Sequence, residues 1–488
     1  MKWLTHILKK ERPTGQGRSA PVFFTNTLGG AKELFIPIKP DSVSMYSCGP
    51  TMYSEAHIGN LRAYVVSDTI ARVLAAAGYR VRRVINITDF GHLVSDGDAG
   101  EDKMTKGLHR EGLPLTLENM RSLAERYTSV FLKDLDAVDV DTEQITFPRA
   151  SDYIPEEIAL IKTLEQKGYA YRTSDGVYFD TARFPGYGKL GGLDLNGQQE
   201  SARIKQNKEK RNPADFVLWK SDAKLGWQSP WGLGFPGWHI ECSAMIRSLL
   251  GQEIDLHTGG EDLAAIHHNN EIAQSEAASG RTFVHYWMHN AFLTMGGEKS
   301  SKSLGNVVNL SDVVAKGYSP LALRYFFLQA HYRTPLSFSW DALAAAANAL
   351  DRLWRTSREI AKESKRVSEP SEALDRFLAT MRDDLATPQA LGILWDSLRS
   401  EDYTPEEKYG LIEAADEHLG LSLTAPPVEE ALTGDRIPED MRDLVARRGA
   451  ARDRKDFQEA DRIRAEIERS GYRVDDGPEG PVLTPTTL

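Results

Sequence analysis

Two cysteines in 488 residues, Cys48 and Cys242, exclude a disulfide framework as the source of stability. No apolar run approaches the ~20 residues needed to cross a bilayer, so no membrane association is expected. The basic start, Met1 to Lys10, has an interrupted apolar stretch and no small-residue cleavage site after it. It reads as a short extension of a cytoplasmic protein. Positive charge is not in excess either: 59 Lys and Arg stand against 70 Asp and Glu, a net charge of -11. That sign excludes sequence-independent nucleic-acid binding by the whole surface and leaves only a local basic face. Internal repeats are absent. What remains, with 41% hydrophobic and 26% charged residues, is an ordinary globular composition, long enough for several hydrophobic cores.

The periodicities place an α/β fold first. Val43 to Tyr46 reads as a buried strand, Leu61 to Ala77 carries Val66, Ile70, Val73 and Leu74 at helical spacing, and Val81 to Ile87 is the next strand. Strand, glycine-containing loop, helix and strand make a βαβ unit, hence a parallel sheet with ligands at the carboxyl ends of its strands. Before it, Val22-Phe23-Phe24 and Leu34 to Ile38 read as strands around Gly29-Gly30, and after it helices are expected over 116–137 and 155–167. From Tyr169 to about Pro230 short aromatic strands suggest an insertion. The parallel pattern resumes with a helix near 240–250, a strand at Ile254-Asp255-Leu256 and a helix bearing His267. Periodic helices beyond Pro320 suggest a bundle, and Met441 to Ser470 reads as one basic helix before a hairpin across Gly477 to Gly480. The expected divisions are 1–20, 21–150, 151–230, 231–295, 296–344, 345–428 and 429–488.

Several short stretches could carry chemistry. His267 and Glu271, spaced i, i+4, share one helix face. With Cys48 and Cys242 they provide two thiols, an imidazole and a carboxylate, all of which zinc accepts. Spacing alone leaves two readings equally open: a metal set, or two core thiols beside a solvated pair. Glu55 to Asn60 opens a helix where backbone N–H groups could meet a phosphate, although a lone histidine at a turn reads first as a capping residue. Gly296 to Asn306 holds Lys299 and Lys302 between glycines, a cationic loop suited to polyphosphate. The acidic run Ser95 to Asp102 lacks the closing glutamate of a calcium loop and reads as solvated.

In chain order, Cys48-Gly49-Pro50-Thr51, His57-Ile58-Gly59-Asn60, Asn86-Ile87-Thr88-Asp89, Gly237 to Met245, His267 to Glu276 and Lys299-Ser300-Ser301-Lys302-Ser303 resemble the motifs of cysteinyl-tRNA synthetases. These are class I aminoacyl-tRNA synthetases, and the resemblance runs from about residue 21 to the C-terminus. It implies a Rossmann-type catalytic domain in two halves around a connective insertion, a phosphate-loop region, an all-α tRNA-binding bundle and a small helix-hairpin module on the anticodon side. It implies one Zn2+ held by Cys48, Cys242, His267 and Glu271, which takes the thiolate of the substrate cysteine. Gly49, Thr88, Trp238 and Asp262 would surround the amino acid, and His57, Gly59, Asn60, Gly259 and Lys302 the ATP. His57, Asn60, Lys299 and Lys302 would serve catalysis. The implied partners are L-cysteine, ATP with Mg2+, and tRNA(Cys), and a monomer is expected.

A metal suits this discrimination. Serine differs from cysteine by one atom, for which a shaped pocket gains only ~1 to 3 kcal/mol, whereas zinc prefers a soft thiolate to a neutral hydroxyl. No editing domain is then needed. Ser300 departs from the methionine usual in the family, and Phe90 to Leu93 and Gly259 to Leu263 resemble a divergent branch. Three other functions fit parts of the pattern. A mycothiol-pathway ligase shares the catalytic fold and zinc site but lacks the long C-terminus. A non-catalytic tRNA-binding paralogue would need neither lysine. A zinc hydrolase could use Glu241 as base but would leave the ATP motifs unexplained.

Overall fold

The first long helix, Ile58–Ala76, buries Ile58, Leu61, Val65, Ile70, Val73 and Leu74 at helical spacing. His57 caps it: its Nδ1 accepts from the Asn60 N–H at 3.2 Å, and Asn60 Oδ1 accepts from the His57 N–H at 3.3 Å. Such a reciprocal cap satisfies two otherwise orphaned donors. The helix stops before Gly78, whose φ of 99° suits a residue without a side chain. The computed structural model describes residues 20–91, 103–191, 208–295, 298–299, 307–427, 434, 437–470, 472–477 and 480–485.

This helix joins two strands of a five-stranded sheet, Ser42–Ser47 and Arg80–Ile85. The sheet order is Val284–Asn290, Ile254–Gly260, Ser42–Ser47, Arg80–Ile85, Ile145–Thr146, and every pairing is parallel. The chain moves outward from Ser42–Ser47 in one direction through its first half and in the other through its second. The strand order therefore reverses between Ser42–Ser47 and Ile254–Gly260, and a crevice opens beyond their carboxyl ends. Between the halves lies an antiparallel five-stranded sheet running from Ala170–Thr173 to Gly232–Pro236, past the boundary expected near Pro230.

Three expectations shift in detail. The early hairpin pairs Phe23–Asn26 with Ala31–Leu34, and the Phe35 N–H still donates to the Val22 carbonyl, so Ile36 to Ile38 leaves the ladder. Pro37 has no N–H to give, and the N–H groups of Ile36 and Ile38 donate instead to the Tyr286 hydroxyl and the Asp255 carboxylate. The helix bearing His267 begins with a short α turn, Glu261–Leu263, and a π turn, Ala264–His268, before the α-helix Asn269–Ser279. The final basic helix is two, Glu439–Asp453 and Phe457–Arg469, broken at Lys455 with φ 59°.

Four helices, Trp340–Glu363, Glu372–Arg382, Thr387–Arg399 and Pro405–Leu419, follow the sheet region. They are tied to the first long helix through Asp68, which is 1% exposed. Its carboxylate accepts from Arg72 at 2.6 Å, Arg83 at 3.0 Å and Arg324 at 2.8 Å. Arg324 also donates to the carbonyls of Leu419 and Val138. No helix among the described residues is long and apolar enough to cross a membrane.

Residues 437–483 have a separate apolar cluster of Ile437, Met441, Leu444, Val445, Ile463, Ile467, Val474 and Leu483. Truncating a fully buried isoleucine costs ~2 to 5 kcal/mol. Ile467→Ala is therefore expected to speed amide hydrogen exchange in residues 437–485 and leave residues 20–427 unchanged; acceleration throughout the sheet would contradict separate cores.

Candidate active site

Strand ends assemble the cleft. Cys48 follows Ser42–Ser47, Asn86 follows Arg80–Ile85, Gly259 and Gly260 close Ile254–Gly260, and Asn290 closes Val284–Asn290. All of them line one cavity of about 530 Å³ together with His57, Gly59, Asn60, Trp238, Cys242, Asp262 and His267. Close approach of two strand ends requires glycine at 49. A Cβ there would lie 1.5 Å from the Asn86 carbonyl oxygen, and the Gly49 N–H donates to Asn86 Oδ1 at 2.7 Å.

At the cleft floor the ligand atoms of Cys48, Cys242, His267 and Glu271 all lie within 4.8 Å of one another. Helix Trp238–Leu249 brings Cys242 in, buried at 2% exposure. The π turn places His267 and the first α turn places Glu271, with His267 Nε2 2.7 Å from Glu271 Oε1. Cys48 Sγ is 3.7 Å from that same oxygen. The pair is wholly buried, which decides against a solvated surface interaction. Burial alone would raise the Glu271 carboxyl, but His257 and His267 hold it down to about 2. Burial opposes the imidazolium of His267, and Glu271 and Cys242 override it, to about 10. The Cys242 thiol is pulled down by hydrogen bonding from Cys48 and from His267, while burial and Cys242 push the Cys48 thiol up. Without a cation, the imidazolium of His267 offsets part of the charge of one thiolate and one carboxylate in this buried set; a divalent cation would take over that role and release the proton.

A second layer of histidines surrounds these donors. His239 Nδ1 meets His267 Nδ1 at 2.8 Å, and His257 Nε2 meets Glu271 Oε2 at 2.9 Å. His268 Nε2 lies 3.3 Å from Cys48 Sγ, its Nδ1 bonds His289 Nε2, and His289 Nδ1 bonds Thr27. Burial keeps His268 and His289 uncharged, His289 down to about 3. Outer partners of this kind fix ring orientation at metal sites. Cys48, His257, His268 and Glu271 form a second, inner group of four donors that shares two members with the first.

One of the expected site residues sits elsewhere than at the cleft wall. Thr88 is 1% exposed and donates its hydroxyl to Glu241 Oε2 at 2.9 Å, behind the wall. Lys302 falls outside the described residues. Lys299 lies on Glu298–Lys299, paired through Thr294 with Leu293–Met295 at the cleft edge. Glu241 is fully buried, and burial and Cys242 push its carboxyl well up, which suits a hydrogen-bonded acid and not a hydrolytic base facing solvent.

The histidine layer was not read from the sequence, although a signal existed: six of the 12 histidines fall between His239 and His289. Lys103 and Tyr53, which also line the cleft, carry no motif that marks them.

Comparison with known proteins places this architecture. The family model described as tRNA synthetases class I (C) catalytic domain matches residues 34–348. The chain is 46% identical over 472 residues to cysteine--tRNA ligase 1 of Burkholderia lata, covering 94% of this chain and 96% of that protein. It is 39% identical to the cysteine--tRNA ligase of Treponema denticola, over 92% and 97% of the two chains. Among solved structures, Mycobacterium tuberculosis methionyl-tRNA synthetase in complex with methionyl-adenylate shares the fold with a TM-score of 0.54 and 17% identity, over 79% of this chain and 91% of that one. On a family model spanning most of the sheet-bearing chain and relatives matched over nearly their whole length, the chain belongs to the cysteine--tRNA ligase family of class I tRNA synthetases.

Proposed function

We propose that this chain activates L-cysteine with ATP and transfers it to the 3′ end of tRNA(Cys), and that zinc selects the substrate thiol. The observation that carries the reading is the buried set of two thiols, an imidazole and a carboxylate at the floor of a cleft whose wall is a capped helix N-terminus. The donor chemistry fits zinc: Cys48, Cys242, His267 and Glu271 would hold it, and His239 and His257 would orient His267 and Glu271. Zinc, when bound, supplies a soft Lewis acid that favours a thiolate over a neutral hydroxyl.

The chain's own residues account for the rest. His57 and the N-terminus of Ile58–Ala76 present a positive dipole end at the cleft, where ATP phosphates develop charge. Gly59, which lines the cleft beside His57, leaves that ring its place at the helix N-terminus, since a Cβ there would press on it at 3.0 Å. Lys299 and Lys302, with Mg2+ on the ATP, would neutralise the leaving pyrophosphate. The cysteine carboxylate attacks the α-phosphate and the bond to pyrophosphate breaks, giving cysteinyl adenylate; a ribose hydroxyl of the tRNA's terminal adenosine then attacks its carbonyl, the acyl–phosphate bond breaks, and AMP leaves. The bundle Trp340–Leu419 and the arginine-bearing helix Glu439–Asp453 supply surface for the tRNA.

ATP–pyrophosphate exchange that depends on cysteine and ignores serine is the expected result, together with charging of tRNA(Cys). Exchange without charging would move the acceptor to another molecule, and serine-supported exchange at comparable rate would remove the metal from its selecting role.

A further inference from the structure

Lys103 opens the helix Lys103–Arg110 and belongs to no motif discussed above. Its Nζ lies 5.3 Å from the centroid of the Trp238 ring, and the same indole lies 4.4 Å from the ring of His267. Lys103 lines the cleft alongside Cys48, Cys242 and His267. One aromatic ring thus contacts both a member of the thiol-selecting set and a primary ammonium.

The position of this lysine is built. Met104 and Leu108 of its helix are buried. Gly107 lets the helix press on the loop before His57, where a Cβ would come within 3.1 Å of Tyr53. Arg110 Nη2 then donates to the Tyr53 carbonyl at 2.6 Å. The cation–π contact with Trp238 fixes the far end of the side chain at a partly buried site.

From sulfur to carboxylate a cysteine spans about 4 to 5 Å by ordinary bond lengths. A thiolate held at the four-donor set, whose His267 packs against Trp238, therefore leaves its carboxylate within reach of the cleft wall that Trp238 and Lys103 form. We propose that Lys103 is a substrate-binding residue that pairs with the α-carboxylate of the amino acid; this rests on the cysteine-activating reading. The pairing has a direction in the reaction. The carboxylate loses its charge on becoming an acyl phosphate while charge builds on the departing pyrophosphate. Bond formation is incomplete in the transition state, so Lys103 holds the bound substrate and the transition state nearly equally, and its loss is felt in KM more than in kcat.

The test compares cysteine with cysteamine, which has the thiol and amine but no carboxylate. In Lys103→Gln the KM for cysteine in ATP–pyrophosphate exchange is expected to rise roughly 10- to 100-fold, with kcat and the KM for ATP within about 3-fold of the wild type. Inhibition by cysteamine should be unchanged, and Lys103→Arg should recover most of the cysteine affinity. Equal weakening of cysteine and cysteamine would reduce Lys103 to a prop for Trp238. A change confined to the KM for ATP would assign it to the phosphates. Either outcome overturns the proposal. A wild-type protein without cysteine-dependent exchange would instead overturn the parent reading, so the two failures are distinguishable.

Discussion

Cys242→Ser is expected to lower cysteine-dependent ATP–pyrophosphate exchange by roughly three orders of magnitude, the ~4 kcal/mol scale of a lost Lewis-acid contribution. Serine fills almost the same volume, so the fold should persist and its melting transition should move little. The loss arises because Cys242 is the thiol that its surroundings favour as thiolate, through hydrogen bonding from Cys48 and His267. A neutral hydroxyl offers neither charge nor softness. Metal analysis of the purified variant completes the argument. Metal lost together with exchange is the expected pair of results. Metal retained without exchange would place the ion on the inner donors, Cys48, His257, His268 and Glu271. Full exchange with serine at 242 would sink the assignment of the donor set.

Asp68→Asn is expected to be the most destabilising single change outside the cleft. It leaves Arg83, at 7% exposure, and Arg324, at 0%, without the carboxylate that offsets their burial. Removing one partner of a buried ion pair costs ~3 to 5 kcal/mol. The effect has a pH signature. Burial by itself would raise the Asp68 carboxyl, but Arg324, Arg72 and Arg83 hold it far below the usual carboxylate range. A carboxyl depressed by folding contributes stability that is complete above the unfolded value near ~3.9 and fades as pH falls toward the folded value. The stability gap between wild type and variant, read from chemical denaturation, should thus be constant from pH 7 to about 5 and narrow below about 4. A gap that widens in acid would mean that Asp68 is not the charged partner of these arginines.

Parts of this molecule were legible in the residues and parts were not. The βαβ unit was, because buried parallel strands and a helix with a 3.6-residue period leave unambiguous patterns. The Gly49 to Asn60 segment was legible only in part: a lone histidine at a turn reads first as a cap, which His57 is, and its place on the cleft wall depends on the fold. The pairing of His267 with Glu271 was legible as a spacing, but its burial was not, since burial depends on the antiparallel insertion and on Trp238 and His239 packing over it. His257, His268 and His289 lie on separate elements and converge only when Ile254–Gly260 and Val284–Asn290 pair in register. Lys103 follows the acidic stretch Ser95 to Asp102, which has no spacing or motif that marks it. The break at Lys455 was missed because the residues around it, Arg452 to Asp456, carry no glycine or proline to signal a stop.

The π turn at Ala264–His268 bears on how the gene can change. A π turn accommodates one more residue than an α turn over the same stretch. Deleting one residue there would convert the segment to ordinary helix and rotate what precedes it by about 100° relative to Glu271. With the deletion before His267, that residue keeps its spacing to Glu271, but Asp262 and Leu263, which line the cleft ahead of the turn, would be carried away from it, whereas point substitutions at the exposed Ala265 leave the turn intact. Length, more than side-chain identity, is thus what inheritance must preserve in this stretch.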